Sequence, residues 1–152
     1  MAKYTADQVA DTLIFLGRER KIEISNLKLQ KLLYYAQAWR LAFSKKPLFE
    51  EEFEAWVHGP VVPRLFRRFK HLRWAPIEEE VHPVADAELR SFLEMVLTTY
   101  GKSTAGELER LSHSESPWRD ARGDLAADIS SNTVISKESM YKYYRGLLDA
   151  EG

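Results

Sequence analysis

The side chains best equipped for chemistry lie between His58 and Trp74. Arg64, Arg67, Arg68 and His71 recur at helical spacing, and Lys70 and Arg73 extend the run. A basic stripe of this kind can grip phosphates or an acidic protein surface. It can equally be the solvated face of an amphipathic helix, paired with Glu50, Glu51 and Glu52 or with Glu78, Glu79 and Glu80. For nucleic acid the solvated face is the stronger reading; for a protein partner the two are evenly matched. On either reading the arginines are expected to reach solvent without supporting the fold. His58 precedes Gly59-Pro60, at the mouth of an expected helix, where an imidazole can meet an anion or titrate. A hydrogen bond within the turn is the commoner use of such a residue. Trp74, after the basic run and before Pro76, is the tryptophan expected at the surface, and Trp is a favoured interface anchor. Trp39 and Trp56 are expected in the core.

Other arrangements carry less. The two acidic triplets do not converge on one point, because neighbouring residues face different ways on a helix or a strand. His58, His71, His82 and His113 show no HExxH or other ligand spacing, so no metal site is expected. His113-Ser114-Glu115-Ser116 contains a nucleophile and a base, but no GxSxG elbow surrounds it, and capping by Ser116 explains the segment. No GxGxxG and no Walker A sequence occurs, so no nucleotide cofactor is expected. The catalytic, cofactor and metal sets are all read as empty, and the chain as a non-enzyme.

The composition supports a folded chain without a dominant charge. Of 152 residues 45% are hydrophobic and 30% charged, and 22 Lys and Arg balance 23 Asp and Glu to a net charge of −1. That length suits one ordinary domain, read here as residues 1–152. The balance disfavours nucleic acid as the main partner. There is no Cys, which removes disulfides, thiolate nucleophiles and Cys-based zinc sites. No apolar run approaches the ~20 residues that span a bilayer, and Met1-Ala2-Lys3-Tyr4 opens no signal-peptide core. A cytoplasmic protein without a membrane partner is expected.

The positioning elements follow from periodicity and caps. Thr5-Ala6-Asp7-Gln8 is a capping box opening a first helix along Val9, Leu13 and Leu16 that fades near Gly17. Ser25 caps a second helix from Asn26 to Phe43. Leu29, Leu32, Leu33, Ala36 and Phe43 line one side of it, with Leu27, Tyr34 and Leu41 on the other. A helix apolar nearly all round belongs at the centre of its domain. Leu48 to Trp56 fits either a helix or a short edge strand. Gly59-Pro60 breaks the chain, and a helix is predicted from Pro60 to Leu72, with Val61, Val62, Leu65, Phe66, Phe69 and Leu72 inward. Ile77 to Val81 is a candidate strand facing the ambiguous segment. Asp86 caps a helix through Leu89, Phe92, Leu93, Val96, Leu97 and Tyr100 that ends at Gly101. Thr104-Ala105-Gly106-Glu107 is a second capping box, and Ser116-Pro117-Trp118 opens another short turn. Gly123 to Thr133 reads as loop. The last helix opens at Ser136 and buries Met140, Tyr143, Tyr144, Leu147 and Leu148.

Three segments together resemble the Panacea, or SocA-like, antitoxin domain of bacteria and phages. They are Leu27-Lys28-Leu29-Gln30-Lys31-Leu32-Leu33-Tyr34-Tyr35-Ala36-Gln37-Ala38-Trp39; Pro47-Leu48-Phe49 through Ala55-Trp56 and Gly59-Pro60-Val61-Val62-Pro63 to Phe69-Lys70; and His113 to Trp118. Leu-Gln-Lys-Leu-Leu-Tyr-Tyr combined with Ala-Trp-x-x-Gly-Pro-Val is far more specific than either half. Phe66 stands where many relatives have Tyr, so a role for that hydroxyl does not carry over. The resemblance implies a mostly helical antitoxin that neutralises a toxin from a neighbouring gene by direct contact. Delivery of the toxin to a ClpXP-type protease is a further route it implies.

The expected architecture is mainly α: a compact helical domain around a buried central helix, with room for one small β-hairpin. The expected function is toxin neutralisation. The expected partner-binding residues are His58, Arg64, Arg67, Arg68, His71 and Trp74. The alternative function is a DNA-binding regulator using the basic helix 60–72. Oligomeric state is left open.

Overall fold

The computed structural model describes residues 2–151. Helices α1 (Ala6–Glu19) and α2 (Asn26–Ser44) precede a hairpin of strands β1 (Phe53–Trp56) and β2 (Gly59–Val61). Helix α3 (Pro63–Phe69) follows and runs into a 3₁₀ turn, Lys70–Leu72. Then come α4 (Ala87–Tyr100), α5 (Ala105–His113), α6 (Ser116–Arg122), strand β3 (Val134–Ile135) and α7 (Lys137–Glu151). The protein is mainly α, as its periodicity predicts. Both capping boxes form: Thr5 with Gln8, and Thr104 with Glu107, each exchange side-chain and backbone hydrogen bonds. An N-cap of this kind contributes about 1 kcal/mol.

Helix α2 is the spine. Leu29, Leu32, Leu33, Tyr34, Tyr35, Ala36 and Ala38 are fully buried, and the helix packs against α1, α3, α4, α5, α7 and β2. Phe43 departs from the expected stripe. It is 50% exposed, in the last turn where α2 leaves the core, and meets Phe92 edge-on. Five polar side chains of α2 are buried, and each is occupied. Lys28 Nζ donates to the Gly101 carbonyl at 2.6 Å, and Gln37 both donates to Phe49 O at 2.8 Å and accepts from Leu48 N at 2.7 Å. Asn26, Gln30 and Lys31 reach the hairpin and α3, as described below. Buried polar groups must find such partners, so the spine also fixes the loops beside it.

The sheet corrects three readings. The segment ending at Trp56 is a strand, but a central one, in the order β2-β1-β3. β1 pairs antiparallel with β2, Glu54 opposite Val61, Ala55 opposite Pro60 and Trp56 opposite Gly59, which leaves Val57-His58 as a two-residue turn. The predicted helix start at Pro60 therefore gives way to β2, and α3 begins at Pro63, which takes the first-turn position instead. Gly59 makes the hairpin feasible: its φ is +102°, and a Cβ there would run into the Lys31 side chain. The third strand comes from Val134-Ile135, too short for any periodicity to reveal. Ile77 to Val81 does not face β1. The Ile77 amide donates to the Ile24 carbonyl at 2.9 Å and its side chain is buried, so the segment is held against the connection from α1 to α2.

In α7, Met140 and Tyr144 are buried, and Leu148 packs against the core. Leu147, expected inward, is exposed because the contact line follows the four-residue row 140, 144, 148. Among the described residues no helix is long and apolar enough to cross a membrane.

Candidate functional site

The hairpin and α3 form the walls of an open cleft of about 1820 Å³. Its floor begins at Asn26 and Leu27, where α2 starts, and residues 130–132 close one side. Local chemistry fixes each wall. Val62 N donates to Gln30 Oε1 at 2.9 Å, and Gln30 Nε2 donates to Asn26 Oδ1 at 3.1 Å. Asn26 Nδ2 in turn donates to the Phe66 carbonyl at 2.9 Å. Lys31 Nζ donates to Pro60 O at 3.2 Å. The free edge of β2 is thus satisfied by side chains of α2 rather than by another strand. Behind the hairpin, Trp118 Nε1 donates to Trp56 O at 2.8 Å and Arg122 Nη1 to Ala55 O at 2.9 Å.

Trp56 is not a core plug. It is half-buried and lines the cleft, its ring edge-on to Phe66 at 5.1 Å and its indole N–H donated to Glu54 Oε1 at 2.8 Å. A tryptophan in a two-residue-turn hairpin alternates with buried Phe53 and Ala55, and that alternation turns it outward.

Four of the six sequence-selected residues, His58, Arg67, His71 and Trp74, line this cleft. His58 Nδ1 lies 3.1 Å from Glu109 Oε1, and His71 Nε2 lies 2.9 Å from Glu79 Oε2. Trp74 is 79% exposed. Arg67 is exposed without a carboxylate partner among the described residues, and so are Lys70 and Arg73 beside it. Arg73 has φ 55° and ψ −116°, a backbone conformation that L residues avoid. Such strain is on the order of 1–3 kcal/mol. It turns the chain sharply just before Trp74.

Arg64 and Arg68 do not line the cleft. Arg68 donates to Asp7 Oδ1 at 3.0 Å and to Asp11 Oδ1 at 2.8 Å. Arg64 bridges Asp7 at 2.5 Å and Glu51 at 3.1 Å, and the bond to Asp7 raises its pKa. The expectation that the whole basic face stands clear of the fold holds for Arg67 and fails for these two. Neither Arg64 nor Arg68 shares the next row of the helix with Arg67, and α1 presents its carboxylates to that side only.

A second polar cluster lies under the hairpin. Lys31 is fully buried, and desolvation pulls its pKa down to about 7 against the opposing charge of Glu109. Glu115 accepts from the hydroxyls of Tyr35 and Tyr144, both at 2.7 Å, and burial raises its pKa. His113 stacks on Trp118 at 3.8 Å, and burial pushes its pKa down. Ser114 Oγ donates to Leu111 O at 2.6 Å. The His113-Ser114-Glu115 trio is thus split among three different structural duties. Glu115, not Ser116, caps α6, with no side-chain bond at the cap. Periodicity alone missed Asn26, Gln30 and Lys31; their signal was polarity inside a helix that is otherwise apolar all round.

A family model described as Antitoxin SocA-like, Panacea domain, matches residues 29–119. That span holds most of α2, the hairpin, α3 and the cations around it, and it stops before residues 130–132. The protein named Antitoxin SocA from Caulobacter vibrioides (strain NA1000 / CB15N) is 36% identical over 127 residues, which cover 74% of this chain and 68% of that protein. No solved structure matches.

Proposed function

The chain belongs to the SocA-like antitoxin family with a Panacea domain, and from that membership we propose that it neutralises a cognate protein toxin by direct binding. The toxin would be the product of a neighbouring gene and the encounter would take place in the cytoplasm. Family membership carries this reading. What supports it in the geometry is a cleft with exposed aromatic and cationic side chains, the types that anchor protein interfaces. We place the contact on the face of His58, Arg67, His71 and Trp74. Arg64 and Arg68 act behind it, holding α3 against α1.

The DNA-binding alternative is the weaker one. The basic helix is seven residues long, and two of its three arginines are neutralised by carboxylates of the same chain. A recognition helix needs side chains free to reach base edges and phosphates.

Co-expression with the neighbouring gene tests the proposal. The expected result is that the gene product alone arrests growth, that this protein restores growth, and that the two co-purify. A fall in the toxin's cellular level that depends on this protein would add delivery to a ClpXP-type protease. A toxic product that this protein neither binds nor counteracts would overturn the proposal.

A further inference from the structure

The cleft has a definite chemical sign. Three cations, Arg67, Lys70 and Arg73, stand around it without carboxylate partners among the described residues, while the other two arginines of α3 are paired. Unpaired, clustered cations create a local potential that a neutralised stripe does not. Among them sit three aromatic rings: Trp74, almost wholly exposed, and the edge-on pair of Trp56 and Phe66. Arg73 holds the strained backbone that turns the chain into Trp74. A strained residue beside an exposed indole persists only where the surrounding structure enforces it, and such sites cluster where ligands are held.

We propose that this cleft seats an acidic segment of the toxin, whose carboxylates meet Arg67, Lys70 and Arg73 and whose apolar side chain packs among Trp74, Trp56 and Phe66. This rests on the antitoxin reading and names the partner chemistry within it. Charge complementarity selects an acidic occupant. The remaining acids select a peptide over a nucleic acid. Glu54 lies in the cleft with its carboxylate on the Trp56 N–H, and Glu79 and Glu109 flank it through His71 and His58. A nucleic-acid strand carries charge at every nucleotide and would meet all three. A peptide places its carboxylates opposite the cations and an uncharged side chain over Glu54.

The test uses the full-length protein and the neighbouring gene's product, titrated against each other at low and high salt. The cleft variants are Arg67→Glu with Lys70→Glu, and separately Trp74→Ala. The control is Lys46→Glu with Lys102→Glu, which changes net charge equally at exposed positions outside the cleft. Circular dichroism and melting confirm that each variant folds. The charge-reversed cleft is expected to lose about 10-fold or more in affinity at low salt, with the loss shrinking as salt screens it. Trp74→Ala should weaken binding at both salts, and the control should bind as the parent does. If the parent neutralises and binds while both cleft variants bind equally well, the cleft is not the site and the antitoxin reading stands. If the parent itself neither binds nor neutralises, both fall together. If the cleft variants lose affinity only for a single-stranded oligonucleotide, the acidic-peptide inference is overturned in favour of a nucleic acid.

Discussion

Arg64 and Arg68 form one row along α3, and Arg67 with His71 forms the next. The first row ends on Asp7, Asp11 and Glu51, so its charge is spent inside the molecule. The second row opens on the cleft, where Arg67 joins Lys70 and Arg73, none of them paired with a carboxylate among the described residues. Both rows carry arginine, and Arg67 and Arg68 are neighbours in the chain. The difference lies in what packs beside each row: α1 with its carboxylates on one side, the hairpin and Trp74 on the other. Charge along a helix therefore does not identify a binding face. The proposed face rests instead on unpaired cations clustered beside exposed aromatic rings. A scaffold cation should move stability when removed, and a cleft cation should move binding.

The largest expected effect belongs to the most deeply held cation. Lys31 is buried under Gly59, with its pKa lowered to about 7 from 10.5. Between those values the unfolded chain binds more protons than the folded one, so this group's contribution to stability rises with pH over that window. Lys31→Met removes the titration but leaves Pro60 O without its donor. The parent's stability relative to Lys31→Met should therefore climb from pH 7 towards pH 10.5, by an amount on the order of several kcal/mol. Urea unfolding of both proteins across that range measures it. A constant difference would show that Lys31 does not titrate as the burial implies.

Asp11→Ala comes next. It strips Arg68 of one carboxylate and leaves the His82 amide without its acceptor. Arg68 is a third exposed and keeps Asp7, which moderates the loss. Hydrogen bonds to charged groups support a destabilisation of about 2 kcal/mol, read as a melting temperature lower by roughly 4–8 °C. Toxin binding should be unchanged once the variant is folded. Weakened binding with an unchanged melting temperature would make the Arg68 row part of the interface and break the comparison.

Trp56→Ala lies between the two classes. Because the indole is half-buried against Phe66, its loss should destabilise by about 1–2 kcal/mol, short of the roughly 3–5 kcal/mol of a core tryptophan. Binding should weaken as well. A loss of core size in thermal unfolding would return Trp56 to the interior.

These contrasts show what the sequence could and could not say. The helices were legible because α1, α2, α4 and α5 carry caps and stripes that act locally: Thr5, Ser25, Asp86 and Thr104 all cap where predicted. The sheet was not. Val134-Ile135 spans two residues, and its pairing with Phe53 and Glu54 depends on chain far away in sequence. Pro60 and Pro63 both suit a helix start; pairing of Gly59–Val61 with β1 across the Val57-His58 turn decided for Pro63. The same limit applied to the site. Spacing placed Arg64, Arg67, Arg68 and His71 on one broad face, and only the position of Asp7 and Asp11 on a packed α1 divides it. The partners of Gln30 and Lys31 were equally invisible, since both reach backbone atoms about thirty residues away.

The smallest expected effect on stability is also the sharpest test of the cleft. Arg73 occupies φ 55°, ψ −116°, where glycine is at ease and other residues are not. Arg73→Gly removes that strain and, with it, one unpaired cation. The relief is partly offset by the greater freedom glycine gives the unfolded chain. The net change should be a gain of about 0.5 kcal/mol, near the limit of what thermal unfolding resolves. Toxin binding should nonetheless weaken, through the lost charge and through a looser hold on Trp74. A variant that is no less stable yet binds less well separates the two roles within a single residue. If Arg73→Gly instead lowers the melting temperature by several degrees and leaves binding intact, the strained turn serves the fold, and Arg73 belongs with Arg68 on the scaffold side.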